Sequence, residues 1–274
     1  MFETLLVPLD GSDFAAKALP AAEAIARMGH AGLRLVGIAR DDDELARVQR
    51  HVYATAREVA ATKDPQVDVI IDPDPTGALL ELSADCTSVL CFPSHDRGTV
   101  AARLIHSVGS ALVARAACPI VVVGEHAAQA ASATDVVVAV DGVRDPQPLL
   151  ATAVSWARQL GAPLRIVTVF EPAPEDLGQP GHFTRHHGPP VDPDVFLGAI
   201  ERGVADGHGL ASVSTASIPD PVGVTDGIVD HLASRPAGLL VVGGGRHKGL
   251  RAGTVRELLR TVSVPLVVVN RQDR

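Results

Sequence analysis

Near the end of this 274-residue chain, the stretch VVGGGRHKGLRAGTV (residues 241–255) gathers residue types that can hold a phosphate. Gly243, Gly244, Gly245 and Gly249 let an anion come close to backbone N–H groups, and Arg246, Lys248 and Arg251 add positive charge. The pair Gly253–Thr254 adds a hydroxyl. The plain alternative is a turn between a strand and a helix, with solvated charges. The stretch is not a Walker A loop, because no Gly-Lys-Ser/Thr is present. Nor is it a dinucleotide fingerprint, since the third glycine comes one place late and the run does not follow the first strand.

Two Asp-Gly pairs, Asp10–Gly11 and Asp141–Gly142, each close an apolar run. A carboxylate there can accept hydrogen bonds from sugar hydroxyls. It can equally cap the next helix together with a residue such as Ser12. The runs Val36–Ile38 and Val167–Val169 could wall a flat base, with Val169 at the rim, or could be ordinary core. No GxSxG elbow occurs, and no acid pair or Ser/His/Asp set can be brought together, so no enzyme is expected. His182, His186 and His187 lack a carboxylate or cysteine partner at ligand spacing, so no metal is expected.

The composition sets the frame. Hydrophobic residues make up 46% of the chain and aromatic residues only 3%, so Val, Leu, Ile and Ala must build the core, as suits buried parallel strands. A net charge of −8 argues against a general nucleic-acid role. No apolar run is long enough to span a bilayer, and MFETLLVPLDGSD lacks the basic flank of a signal peptide. The expectation is a cytoplasmic protein with no membrane partner. Cys86, Cys91 and Cys118 form no CxxC pair and read as reduced thiols in a core.

The chain uses one plan twice. ETLLVPLDGSD (3–13) matches DVVVAVDGVRD (135–145), and CPIVVVGE (118–125) matches VPLVVVNR (264–271). The pattern predicts strands at 3–9, 33–39, 66–71, 87–92 and 119–123, then at 135–140, 163–170, 210–217, 238–242 and 265–269. Between the second and third strands, Leu45, Val48, Val52 and Val59 recur at helical spacing behind an acidic start. Strand–helix alternation implies a parallel sheet with helices on both faces. Residues 125–134 read as a linker. Residues 171–193, with six prolines and three glycines, are an irregular insert found only in the second half.

Taken together, LLVPLDGS and HSVGSALVARAACPIVVV resemble the universal stress protein family, once in each half. The resemblance implies two Rossmann-like α/β domains, 1–126 and 133–274. Each would have a five-stranded parallel sheet in the order 3-2-1-4-5, paired through strand five as an internal pseudo-dimer. Some members bind ATP through Gly-x2-Gly-x9-Gly-Ser/Thr. In the first half, Pro93, Asp96 and His106 stand at the three glycine positions and only Ser107 agrees. Proline removes a donor and Asp96 puts a negative charge where phosphate would lie, which His95 and Arg97 only partly offset. In the second half Gly243 and the pair Gly253–Thr254 fit, but the loop is three residues short.

The resemblance therefore implies a stress-response regulator or binding protein, with nucleotide binding weak or lost and the second domain the better candidate. The alternative is an ATP-binding member with an adenine nucleotide at the C-terminal strand ends of one or both domains. The expected site residues are Asp141, Val169, Gly243, Gly244, Gly245, Gly249, Gly253 and Thr254, with Asp10 and Ser107 in the first half. Regulatory protein partners and a further homodimer of whole chains are left open.

Overall fold

Alternating Val- and Leu-rich runs with amphipathic segments forces each run to be covered on both faces, and the chain answers with a doubly wound sheet in each half. The computed structural model describes residues 1–59, 64–94, 102–124, 126–127, 135–142, 145–170, 192–205, 209–219, 223–244 and 250–270. The first half contains strands β1 (Thr4–Leu9), β2 (Gly32–Ala39), β3 (Gln66–Ile71), β4 (Ser88–Pro93) and β5 (Ile120–Val123). Helices α1 (Leu19–Met28), α2 (Asp42–Val59), α3 (Pro75–Leu82) and α4 (Ala102–Arg115) connect them. The second half repeats this with β6 (Val136–Ala139), β7 (Leu164–Phe170), β8 (Val213–Pro219), β9 (Leu239–Gly244) and β10 (Leu266–Asn270). Its helices are α5 (Gln147–Leu160), α6 (Pro193–Ala205), α7 (Val224–Ser234) and α8 (Leu250–Thr261).

All ten strands form one sheet, in the order β3-β2-β1-β4-β5-β10-β9-β6-β7-β8. Each half has the expected 3-2-1-4-5 order, and pairing inside each half is parallel. The halves meet through β5 and β10, which run antiparallel with Leu266 opposite Val122, Val267 opposite Val121 and Val268 opposite Ile120. Joining the two fifth strands covers two apolar edges that would otherwise be exposed. Leu5, Leu6, Leu35, Leu90, Val121, Leu240, Leu266 and Val267 are all inaccessible. Burying a Val or Leu of this kind contributes about 1.5–3 kcal/mol.

Local chemistry agrees with these boundaries. At the start of α2 the Asp41 carboxylate accepts from the Glu44 N–H at 3.0 Å, and the Glu44 carboxylate accepts from the Arg40 N–H at 3.1 Å. The acidic run therefore acts as a reciprocal cap. Val48, Val52 and Val59 form the buried stripe of that helix, as their spacing implies, and Leu45 packs against it half-buried.

Three expectations change. β9 extends to Gly244, so Gly243 and Gly244 are strand residues paired with Val269 and Asn270 rather than the start of a loop. Parallel pairing to β10 holds the glycines in the ladder although they lack side chains. β8 begins at Val213, later than the apolar pattern suggested. And the cysteines are not all free: Cys86 and Cys118 form a disulfide with their Cα atoms 5.2 Å apart, while Cys91 is a buried thiol. Sequence spacing does not reveal this pair, because β4 and α4 lie between the two residues and only the return of the chain brings them together. The linker 125–134, apart from residues 126–127, and the insert histidines His182, His186 and His187 lie outside the described residues.

Candidate functional site

The C-terminal ends of the two central strand trios are where this topology leaves room for a ligand, because the chain turns to opposite faces there. In the second half, β6 lies between β7 and β9, with Ala139 opposite Val167 and Val138 opposite Val241. Continuing both registers sets Asp141 level with Val169 on one side and with Gly244 on the other. Asp141 is exposed and Val169 half-buried. Four of the expected residues, Asp141, Val169, Gly243 and Gly244, thus stand on three adjacent strand ends. Thr168 turns inward and donates to the Val140 carbonyl at 2.9 Å, which fixes the chain just before Asp141.

The two described glycines differ in what surrounds them. Among the described residues, a Cβ on Gly243 would meet nothing within 4 Å, whereas a Cβ on Gly244 would collide with Asn270 Oδ1. Gly244 is therefore required by packing, and Gly243 is not, as far as the described residues reach. Beyond them, α8 presents Gly253 exposed and Thr254 half-buried. A Cβ on Gly253 would also meet none of the described residues. Gly245 and Gly249, and the cations Arg246 and Lys248, lie outside the described residues, and nothing is described of the Arg251 side chain.

The helices allow a direct comparison of the two halves. α4 ends at Arg115 and α8 at Thr261, each four residues before the proline that leads into its last strand, Pro119 and Pro265. Counting back from these common ends sets Gly253 level with Ser107, and Thr254 level with Val108. Between β4 and α4 lie residues 94–101; between β9 and α8 lie residues 245–249, three fewer. Ser107 lies in α4, but its side chain, like His95, Asp96 and Arg97, is outside the described part, and nothing is described of the His106 side chain.

The corresponding place in the first half is arranged differently. The Asp10 carboxylate accepts from the Ser12 N–H at 3.0 Å and the Ser12 hydroxyl at 2.6 Å. The Ser12 hydroxyl in turn accepts from the Ala15 N–H at 3.3 Å. Asp10 is thus engaged in capping the turn ahead of α1. Arg47 reaches over from α2 and donates to the Asp10 carbonyl at 3.1 Å, and its Nη1 occupies the space a Cβ on Gly11 would take. Gly11 has φ +87, a left-handed conformation that glycine adopts without strain. The side chain closing this strand end was not evident from the sequence. Its only signal is that Arg47 directly precedes the buried Val48.

The family comparison decides what the first half is. Residues 1–124 match the model of the universal stress protein family. The first half is a universal stress protein domain. The second half repeats its fold, so the chain is a tandem of two such α/β units paired within one molecule. Solved structures share this whole architecture. A universal stress protein from Archaeoglobus fulgidus DSM 4304 aligns with a TM-score of 0.68 at 16% identity, covering 98% of this chain and 97% of that one. A putative universal stress protein from Pseudomonas aeruginosa UCBPP-PA14 aligns with a TM-score of 0.60 at 17% identity, covering 98% and 93%. The cytoplasmic domain of a prokaryotic cation chloride cotransporter aligns with a TM-score of 0.56 at 14% identity, covering 98% and 95%. At these identities the likeness is one of fold. No curated protein matches the chain.

Among the described residues, no helix is long and apolar enough to cross a membrane. No group of three or more His, Cys, Asp or Glu among them could hold a metal ion.

Proposed function

We propose that this chain is a non-catalytic, cytoplasmic stress-response regulator in which domain 1 (1–126) has given up nucleotide binding and domain 2 (133–274) keeps a weak site for an adenine nucleotide or a smaller anion. The observation that carries this reading is the closed strand end of domain 1, set against the gathering of Asp141, Val169, Gly243 and Gly244 on adjacent strand ends of domain 2. Asp10 caps Ser12, and Arg47 lies over Gly11. Asp141 stands on a strand end beside Val169 and Gly243. The three-residue shortening between β9 and α8 supports weak rather than tight holding of a triphosphate. Regulation then runs through protein partners and needs no metal.

Calorimetric titration of the purified chain with ATP and with inorganic phosphate tests the reading. The expected result is no nucleotide released on denaturation and a single weak site near millimolar. Gly253→Val and Asp141→Ala should abolish that site, and Asp10→Ala should leave it unchanged. The alternative, ATP held at the strand ends of one or both domains, favoured in domain 2 by the clustering of Asp141, Val169, Gly243 and Gly244, predicts tight binding, with a loss on Asp10→Ala where domain 1 also binds. Tight binding of one or two equivalents would overturn the proposal.

A further inference from the structure

We propose that Cys86 and Cys118 form a thiol-exchange site, at which a low-molecular-weight thiol or disulfide reacts at Cys86 while Cys118 acts as the buried resolving thiol. The two residues are unequal. Cys86 is exposed, in the turn between α3 and β4, and holds φ +60. Cys118 is 4% exposed, between α4 and β5. A reagent from solvent therefore meets Cys86. The third cysteine, Cys91, lies inside β4 with no exposure, and burial pushes its thiol up to about 12, so it stays out of the exchange.

The pair belongs to the first half alone. The matching positions in the second half, three residues before Leu239 and one before Pro265, are Pro236 and Val264. The bond also closes a particular segment. Between Cys86 and Cys118 lie β4, residues 94–101 and α4, the part of domain 1 that answers to the glycine-rich stretch of domain 2. Exchange at Cys86 thus opens or closes the base of this strand–helix unit, at the end of the sheet opposite Asp10.

For reduction, a thiolate of a soluble dithiol attacks Cys86 Sγ. The Cys86–Cys118 bond breaks and its electron pair leaves with the Cys118 sulfur, which takes a proton from water. The Ala84 carbonyl, 3.7 Å from Cys118 Sγ, then offers the new S–H an acceptor. The second thiolate of the dithiol attacks its sulfur in the mixed disulfide, closes its own disulfide and releases Cys86 as a thiolate. Two electrons and two protons pass to the protein. For oxidation, the Cys86 thiolate attacks one sulfur of a small disulfide such as oxidised glutathione, breaking its S–S bond and releasing one glutathione thiolate, and the Cys118 thiolate then attacks Cys86 Sγ and releases the second. Because Cys118 is buried beside a carbonyl it is a poor leaving group, so exchange is slow compared with a disulfide exposed on both sides.

The test uses the native full chain, equilibrated with dithiothreitol or oxidised glutathione, alkylated with iodoacetamide and mapped by peptide mass. After reduction Cys86 should be alkylated first and Cys118 more slowly, and both should be protected after re-oxidation, with Cys91 unlabelled throughout. In Cys118→Ser, oxidised glutathione should leave one adduct, on Cys86. In Cys86→Ser, adduct formation at Cys118 should be about tenfold slower or more. Should a serine variant fail to fold, the labelling of the wild-type chain still decides. Overturning results are cysteines that remain alkylatable after oxidised glutathione, a bond that survives dithiothreitol without denaturant, or adducts on Cys118 as fast as on Cys86.

Discussion

Asn270 fills the space in which a Cβ on Gly244 would stand. The same side chain donates through Nδ2 to the carbonyls of Val113 and Ala116, at 2.6 and 3.0 Å. A glycine on β9 thus makes room for an amide on β10 that caps the C-terminal end of α4 in the other half. At the matching position of the first half stands Gly124, where a Cβ would lie only 2.5 Å from the Leu259 carbonyl oxygen of α8. One side of the seam between the halves is closed by an amide, the other by bare backbone.

Gly244→Ala should therefore destabilise the chain by about 1–3 kcal/mol, the usual cost of overpacking. Asn270→Ala should cost about 1–3 kcal/mol through the helix carbonyls it leaves without a donor. The double variant should cost less than the sum, because removing Asn270 clears the space for the new methyl group. Urea unfolding of all three variants checks this, and strict additivity would contradict it.

Gly253 has no described packing reason to be glycine. It lies within α8, exposed, and a Cβ would touch none of the described residues. Gly253→Ala should raise stability by about 0.5–1 kcal/mol through helix propensity. If the glycine serves an approaching anion, the same variant should weaken phosphate binding while it raises Tm. Thermal unfolding and calorimetry on one sample separate the two effects.

Arg165 carries a buried charge on β7, with its side chain 4% exposed. It pairs with Asp135 and donates to the Arg235 carbonyl at 2.8 Å. Its Nε has no partner among the described residues. Asp135→Ala should cost about 3–5 kcal/mol, because it strands that charge in the interior. Arg165→Met should cost clearly less, since it removes the charge itself. Equal losses in urea unfolding would contradict the argument.

His231, on α7, faces the same arginine at 3.4 Å. Burial, and then the charges of Arg165 and Arg235, hold its imidazole below the usual histidine value. The folded chain therefore binds fewer protons here than the unfolded chain. Stability is full above about pH 6.5 and falls as pH drops through that value towards the lower folded one. His231→Gln should flatten this part of the stability–pH curve, measured by urea unfolding across pH 5–8. An unchanged slope would place the titration elsewhere.

Much of the architecture could be read from the chain itself. Repeated Asp-Gly ends and paired CPIVVV and VPLVVV runs located both halves, and short valine runs between amphipathic helices implied parallel strands. The pairing of fifth strands followed from the family resemblance and from the need to cover an apolar edge. The candidate site was legible only as a set of residue types. Asp10 ends its strand in sequence much as Asp141 does, but the Arg47 that covers the Asp10 end arrives from a helix remote in sequence. Gly243 and Gly244 also look alike, yet only Gly244 must accommodate Asn270 among the described residues.

By itself, then, the sequence determined the elements, their alternation and the two-fold plan, because periodicity and turn residues act over a few neighbours. The tertiary structure decided which glycine must make room for Asn270, which strand end Arg47 covers and which cysteines bond. Those outcomes depend on contacts between residues far apart in the chain, and no local pattern encodes the distance at which they meet.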